Sequence, residues 1–322
     1  NPARNQNINA TLSPKLNVVS KNNYMNYTEL HLHLDGSMRA ETLTALAIDA
    51  GVTLPDDIHF FPGIGLEEAL SRFGTTVACL QTTDSIRRVA EEICEDAIAC
   101  GVTTLEIRFA PQLHPIAPPE EIVDAALDGI NGRAGLILCG LYGEAPSVLN
   151  SHVEIAKTRE GVVGIDLAGA PQLSHQWNIA DYADPFGQAQ ELGIGRTVHA
   201  GEGGRPPTEI RQAIELLHAE RIGHGTSLLE DPSVVELIIK KDIVIEACPT
   251  SNMQTGIISS VNSHPLPTWL ELGVKACVNC DNWLLSDIDP VEEHRRALGI
   301  PGMTDALLAQ CLETGRNAAF LA

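Results

Sequence analysis

The chain has 322 residues, 44% of them hydrophobic and only 4% aromatic, with a formal net charge of −21 and a pI near 4.8. That length supports one barrel or two smaller domains around a core of Ala, Leu, Ile and Val. The acidic balance repels phosphate backbones and argues against nucleic acid as a partner, and no apolar run approaches the roughly 20 residues of a membrane helix.

Residues 1–26 are polar and Asn-rich without periodicity, and they read as a flexible N-terminal arm. From Thr28 onward, short β-rich runs alternate with longer helical patterns, the texture of βα units on a parallel sheet. The first strand candidate is Glu29–Leu34. A helix over Ser85–Cys100 leads to a strand at Val102–Phe109, and Pro119–Ile130 leads to Gly135–Tyr142. Pro146–Thr158 precedes Val162–Leu167. The strand Gly195–His199 is followed by a helix over Pro207–Glu220 and a strand at Arg221–Gly223. Ser233–Lys240 leads to Ile243–Ala247, and Val274–Asn279 is the last strand. Eight strands in one chain predict a (β/α)₈ TIM barrel of the α/β class, a single catalytic domain over 27–322, with an open doubly wound sheet as the alternative. No GxGxxG follows the first strand, so the dinucleotide fingerprint is missing.

Of eight cysteines, most sit in apolar runs. Cys277 and Cys280 form one CxxC, but no second pair completes a four-thiolate site. The set favours reduced, buried thiols and a cytoplasmic location.

Several strand ends carry chemistry. His31 and His33 alternate along the first strand, so both imidazoles share one face, a good half-site for Zn²⁺. A hydrogen-bonded core pair is the plainer alternative. His199 closes another strand and is followed by Ala200-Gly201-Glu202, which puts a carboxylate just outside the strand; an ordinary strand-to-helix loop fits as well. His224 lies between Gly223 and Gly225, which let the backbone bend beside a ligand or mark a simple turn. Asp281 ends the last strand as a metal ligand or a helix cap. Each motif is ambiguous singly, but together they mark the ends of separate strands, where barrel active sites lie.

These segments, Glu29-Leu30-His31-Leu32-His33-Leu34-Asp35-Gly36-Ser37, His199-Ala200-Gly201-Glu202, Gly223-His224-Gly225 and Cys280-Asp281-Asn282, resemble the motifs of the adenosine deaminase family within the amidohydrolase barrels. Gly164–Gly169, Cys248–Asn252 and the apolar stretch from Leu66 to Phe73 are similar to further segments of that family. The resemblance implies one Zn²⁺ per chain held by His31, His33, His199 and Asp281. It implies that Glu202 shuttles a proton at ring N1 and that His224 orients and stabilises the hydroxide, so Glu202, His224 and Asp281 form the catalytic set. It places the Gly169 N–H at ring N3, Asp35 at ribose hydroxyls, His33 beside the substrate, and Leu66, Leu70 and Phe73 in a lid.

The implied reaction is deamination of a small-molecule 6-aminopurine nucleoside, with adenosine converted to inosine and ammonia. Two departures bear on the substrate. Asn282 stands where the family has a second aspartate facing N7, and an amide can donate there. Ala170-Pro171 replaces an expected acidic pair. Related purines (6-aminodeoxyfutalosine, methylthioadenosine or adenine) are therefore alternatives. The cytidine type of zinc deaminase does not fit, because His152-Val153-Glu154 lies in a helical pattern and no Pro-Cys-x-x-Cys follows. A zinc amide or phosphoester hydrolase with a bridging lysine is disfavoured, since Lys157 also falls in a helical pattern. A non-catalytic barrel is disfavoured by the full set of ligands with Glu202. The sequence leaves the oligomeric state open.

Overall fold

The computed structural model describes residues 26–169, 171–172 and 174–320. Residues 1–25, which hold nearly all of the expected arm, and Ala170 lie outside the described residues.

Eight parallel strands follow one another around the sheet in chain order. They are β1 (Tyr27–His33), β2 (Val102–Phe109), β3 (Gly135–Leu141), β4 (Val162–Ala168), β5 (Gly195–Ala200), β6 (Arg221–His224), β7 (Val244–Ala247) and β8 (Lys275–Val278). The expected strands are all present, with ends that match or are shifted by at most two residues, and the (β/α)₈ architecture is as predicted. The helices are α1 (Ala40–Ala50), α2 (Leu66–Cys79), α3 (Thr83–Cys100), α4 (Pro119–Ile130), α5 (Ser147–Ala156), α6 (Ala183–Glu191), α7 (Pro207–Glu215), α8 (Pro232–Lys241), α9 (Pro249–Gln254), α10 (Leu266–Glu271), α11 (Pro290–Leu298) and α12 (Asp305–Ala318). No helix among the described residues is long and apolar enough to cross a membrane.

One helix differs from expectation. The pattern predicts helix as far as Glu220, but α7 stops at Glu215. His218 takes φ +52°, and Leu217 and Ala219 are buried. The chain leaves the helix early to drop beneath the sheet and enter β6.

The core has two zones. Between sheet and helices it is apolar, with residues such as Leu32, Ile107, Leu167 and Ile222 fully buried. Within the barrel a layer of charge crosses from strand to strand. Arg108 of β2 donates to Asp166 of β4 at 3.0 Å and to Glu246 of β7 at 2.9 Å. Arg221 of β6 donates to Glu106 of β2 at 2.6 Å. All five are buried, and buried charge is tolerated only when paired in this way. Below that layer the Phe320 ring sits over the Arg221 guanidinium at 3.7 Å. A Cβ on Gly195 would lie 2.2 Å from that ring, so the strand must be bare there.

The barrel closes where β1 meets the end of β8, in part through side chains. Leu30 N–H donates to Asn279 Oδ1 at 2.8 Å, and Cys280 N–H donates to the Glu29 carboxylate at 3.0 Å. Beyond them the backbone bonds itself: Asp281 N–H to His31 O at 3.0 Å and His33 N–H to Asp281 O at 2.9 Å.

Candidate metal centre and active site

The carboxyl end of the barrel gathers residues from β1, β5, β6 and the end of β8. Strand alternation brings the rings of His31 and His33 to 5.4 Å between centroids. His199 from β5 approaches them at 4.5 and 5.3 Å. Asp281 takes φ +69°, a left-handed conformation rare outside glycine and common at functional sites. Ser251 Oγ donates to its Oδ2 at 2.7 Å, and its Oδ1 lies 3.4 Å from His33 Nε2 and 3.7 Å from His31 Nε2.

Hydrogen bonds behind the rings fix which nitrogens face inward. His31 Nδ1 is 2.7 Å from Glu246 Oε2, and His199 Nδ1 is 3.0 Å from Asp166 Oδ2. A carboxylate accepts, so both Nδ1 atoms carry the proton and both Nε2 atoms present lone pairs. His31 Nε2 is buried without a hydrogen-bond partner. His33 Nε2 sits 3.3 Å from His199 Nε2. Burial, with nearby Arg108 and His199, holds His31 and His33 well below the usual histidine range, so they are neutral. Burial alone would lower His199 too, but Asp166 more than offsets it and raises it. Buried imidazole lone pairs converging with a carboxylate oxygen fit a divalent cation, and a His₃Asp donor set suits zinc.

Glu202 lies beside this cluster. It follows Gly201, which takes φ +68°, and the residue is only 7% exposed. Burial pushes it up to about 7, with the Asp281 charge adding and His199 opposing. Its Oε2 is 3.5 Å from His224 Nε2. His224 is also left-handed, at φ +65°.

A pocket of about 390 Å³ opens over these groups, within the range of small-molecule sites. Its lining includes His33, Asp35, Leu66, Leu70, Phe73, Gly169, His199, Glu202, His224, Asp281 and Asn282. Leu66, Leu70 and Phe73 all come from α2, which lies across the mouth. Phe73 packs edge-on against His33 at 5.8 Å, whereas Leu70 reaches only the rim and stays 45% exposed. Asp35 is buried and accepts from His114 Nε2 at 2.7 Å. Asn282 Oδ1 is buried without a partner and packs on Gly36, where a Cβ would come within 1.8 Å. Gly169 has φ +76° at the end of β4, a conformation a side chain would strain.

The sequence reading did not single out Asp166, Glu246 and Arg108, which orient the ring nitrogens, nor Ser251, Asn252, His114 and His264. A signal was present for Asp166 and Glu246: each is the lone charge in an otherwise apolar strand, rare unless paired.

The family model described as adenosine deaminase matches residues 27–322. The chain belongs to that family. It is similar to the adenosine deaminase of Shewanella denitrificans, with 34% identity over 316 residues, covering 91% of this chain and 93% of the relative. Among solved structures, an adenine deaminase from Arthrobacter aurescens superposes with TM-score 0.83 at 25% identity, covering 92% of this chain and 94% of that one. A zinc-bound amidohydrolase from Burkhoderia ambifaria shares the fold, with TM-score 0.84 at 24% identity over 93% of this chain and 86% of that one. As a member of the adenosine deaminase family, the chain is an aminohydrolase. Two overlapping trios at this end of the barrel, His31 with His33 and Asp281 and His31 with His199 and His224, bring their ligand atoms close enough to hold a metal ion.

Proposed function

We propose that this enzyme removes the exocyclic amine of a 6-aminopurine, with adenosine giving inosine and ammonia. In this reading His31, His33, His199 and Asp281 hold one Zn²⁺. The observation that carries the reading is a buried carboxyl, Glu202, beside three inward-facing imidazoles and Asp281 in a pocket lidded by apolar side chains. Zinc supplies the Lewis acidity that makes water a nucleophile near neutral pH, lowering its pKa from about 16 to about 7.

The protein residues divide the remaining work. Attack at C6 pushes electrons onto N1, and the proton on Glu202 neutralises them there. Glu202 then takes the proton of the attacking water and hands it to the departing amine. Burial keeps that carboxyl protonated near neutrality. His224 Nε2–H donates to the attacking oxygen. The Gly169 N–H meets N3 and the Asn282 amide donates to N7, a bond that needs no unusual protonation state. Asp35 accepts from a sugar hydroxyl. Leu66 and Phe73 exclude bulk water, with Leu70 at the edge.

The N9 substituent is uncharged in this reading, because no Lys or Arg is among the described residues that line the pocket. Adenine, methylthioadenosine and 6-aminodeoxyfutalosine form the second reading. It is favoured by Asn282 and by the likeness to a protein named adenine deaminase. An amide hydrolase with a bridging lysine has less support, since Lys157 caps the exposed end of α5 and pairs with Glu154 at 3.0 Å.

Steady-state kinetics on adenosine, the three alternatives and AMP, with zinc measured by elemental analysis, tests the proposal. One zinc per chain and ammonia release from an uncharged 6-aminopurine are expected. A zinc-loaded enzyme that deaminates none of them, or AMP alone, overturns it.

A further inference from the structure

His224 has one ring nitrogen toward Glu202 and the other buried behind the site. Which nitrogen carries the proton decides whether the ring offers the attacking oxygen a hydrogen or a lone pair. The answer can be traced from a backbone amide outside the pocket.

Leu266 is the first residue of α10, so its N–H has no partner within the helix. It donates instead to His264 Nδ1 at 3.1 Å. An N–H can only donate, so that nitrogen is bare. Burial pushes the His264 imidazole down to about 3, which leaves the ring neutral. A neutral ring with a bare Nδ1 carries its proton on Nε2. His264 Nε2 lies 3.3 Å from Asn252 Oδ1 and donates to it. That bond orients the amide, so Nδ2 faces His224 Nδ1 at 3.1 Å. An amide nitrogen also only donates, and His224 Nδ1 is therefore the acceptor.

We propose that Asn252 and His264 are positioning residues that lock His224 with its proton on Nε2, aimed at Glu202 and the reacting centre. Opposite His224, Glu202 is then the only group of the pair free to pick up and release protons. The lock is sealed from solvent. Asn252 is fully buried, its backbone carbonyl is taken up by Ile257 and Ile258 N–H, and Trp269 packs edge-on against His264 at 5.1 Å. The significance of the tautomer for turnover rests on the deaminase reading above; its existence does not.

The test uses the zinc enzyme labelled with ¹⁵N-histidine, with His224 assigned by comparison with His224→Gln. The expected spectrum shows His224 Nδ1 as a bare ring nitrogen and Nε2 as protonated. A protonated Nδ1 overturns the proposal without reference to any substrate. Three variants extend the test. Asn252→Leu removes the donor and is expected to give a mixed tautomer. Its kcat should fall about 10²-fold, the size of one lost transition-state donor, with KM and zinc content unchanged. His264→Phe frees the amide to turn and should shift both readouts in the same direction, less strongly, while His264→Gln keeps a donor toward Asn252 and restores them. If Asn252→Leu and His264→Phe fold and leave the His224 spectrum unaltered, the lock is refuted. If they do not fold, the spectrum of the unaltered enzyme decides alone.

Discussion

Glu202 and Asn282 touch opposite sides of the proposed purine, and each makes a separate prediction. Glu202→Gln keeps the shape of the side chain and removes its transferable proton. Zinc content and the circular dichroism spectrum are expected to stay as in the parent while kcat falls by roughly 10² to 10⁴, the usual worth of general acid–base catalysis. Asn282 is expected to give its amide hydrogen to N7. Adenosine should then be favoured over its 7-deaza analogue by roughly 2- to 10-fold, the net worth of one hydrogen bond. Asn282→Leu should erase that ratio without abolishing turnover, and an unchanged ratio would show that the amide does not read N7. At this scale the shared face of the two imidazoles was legible and their supports were not. His31 and His33 announce a shared face by alternation alone. Asp166 and Glu246 belong to the site only because β4 and β7 point them at His199 and His31, and no local spacing in the sequence encodes that.

Elements placed side by side carry the next prediction. Glu293 at the start of α11 accepts from the Thr250 backbone N–H at 2.9 Å and is bonded to the Thr250 hydroxyl at the start of α9. This fastens the helix that delivers Ser251 to Asp281. Glu293 is fully buried, and burial pushes its carboxyl from 4.5 up to about 7, against the opposing pull of those hydrogen bonds. A group that binds its proton more tightly when folded stabilises the fold at low pH. That stability is complete below 4.5 and is lost as pH rises through about 7, a change of about 3 kcal/mol. Glu293→Gln should flatten the dependence of melting temperature on pH across that window. A variant with the parent's slope would refute the burial argument. The strands were legible as β-rich apolar runs between helical patterns. The end of α7 was not, because the residues up to Glu220 keep a helical period although Leu217 and Ala219 are needed beneath the sheet. Several helices went unread, α1 and α12 among them, although α1 ends on Gly51 at φ +67°, a stop signal visible in the sequence.

Across the whole molecule, strand order follows chain order, which is why counting eight runs sufficed to predict the barrel. What the count could not reveal is how the ring is joined. Between β1 and β8, two of the bonds are made by the Glu29 and Asn279 side chains rather than by a continuous ladder. The proposed ligands straddle that junction, with His31 and His33 on one side and Asp281 on the other. A bound ion is thus a clasp on a hoop, fastening the two ends of the domain near their weakest meeting. Stripping it with a chelator should lower the melting temperature, since a ligand that binds only the folded form stabilises it. The loosening should also be local. Amide hydrogen exchange is expected to quicken at Leu30, His33, Cys280 and Asp281 and to stay slow where β4 pairs with β5. Uniform acceleration around the ring would mean that the ion clasps nothing in particular.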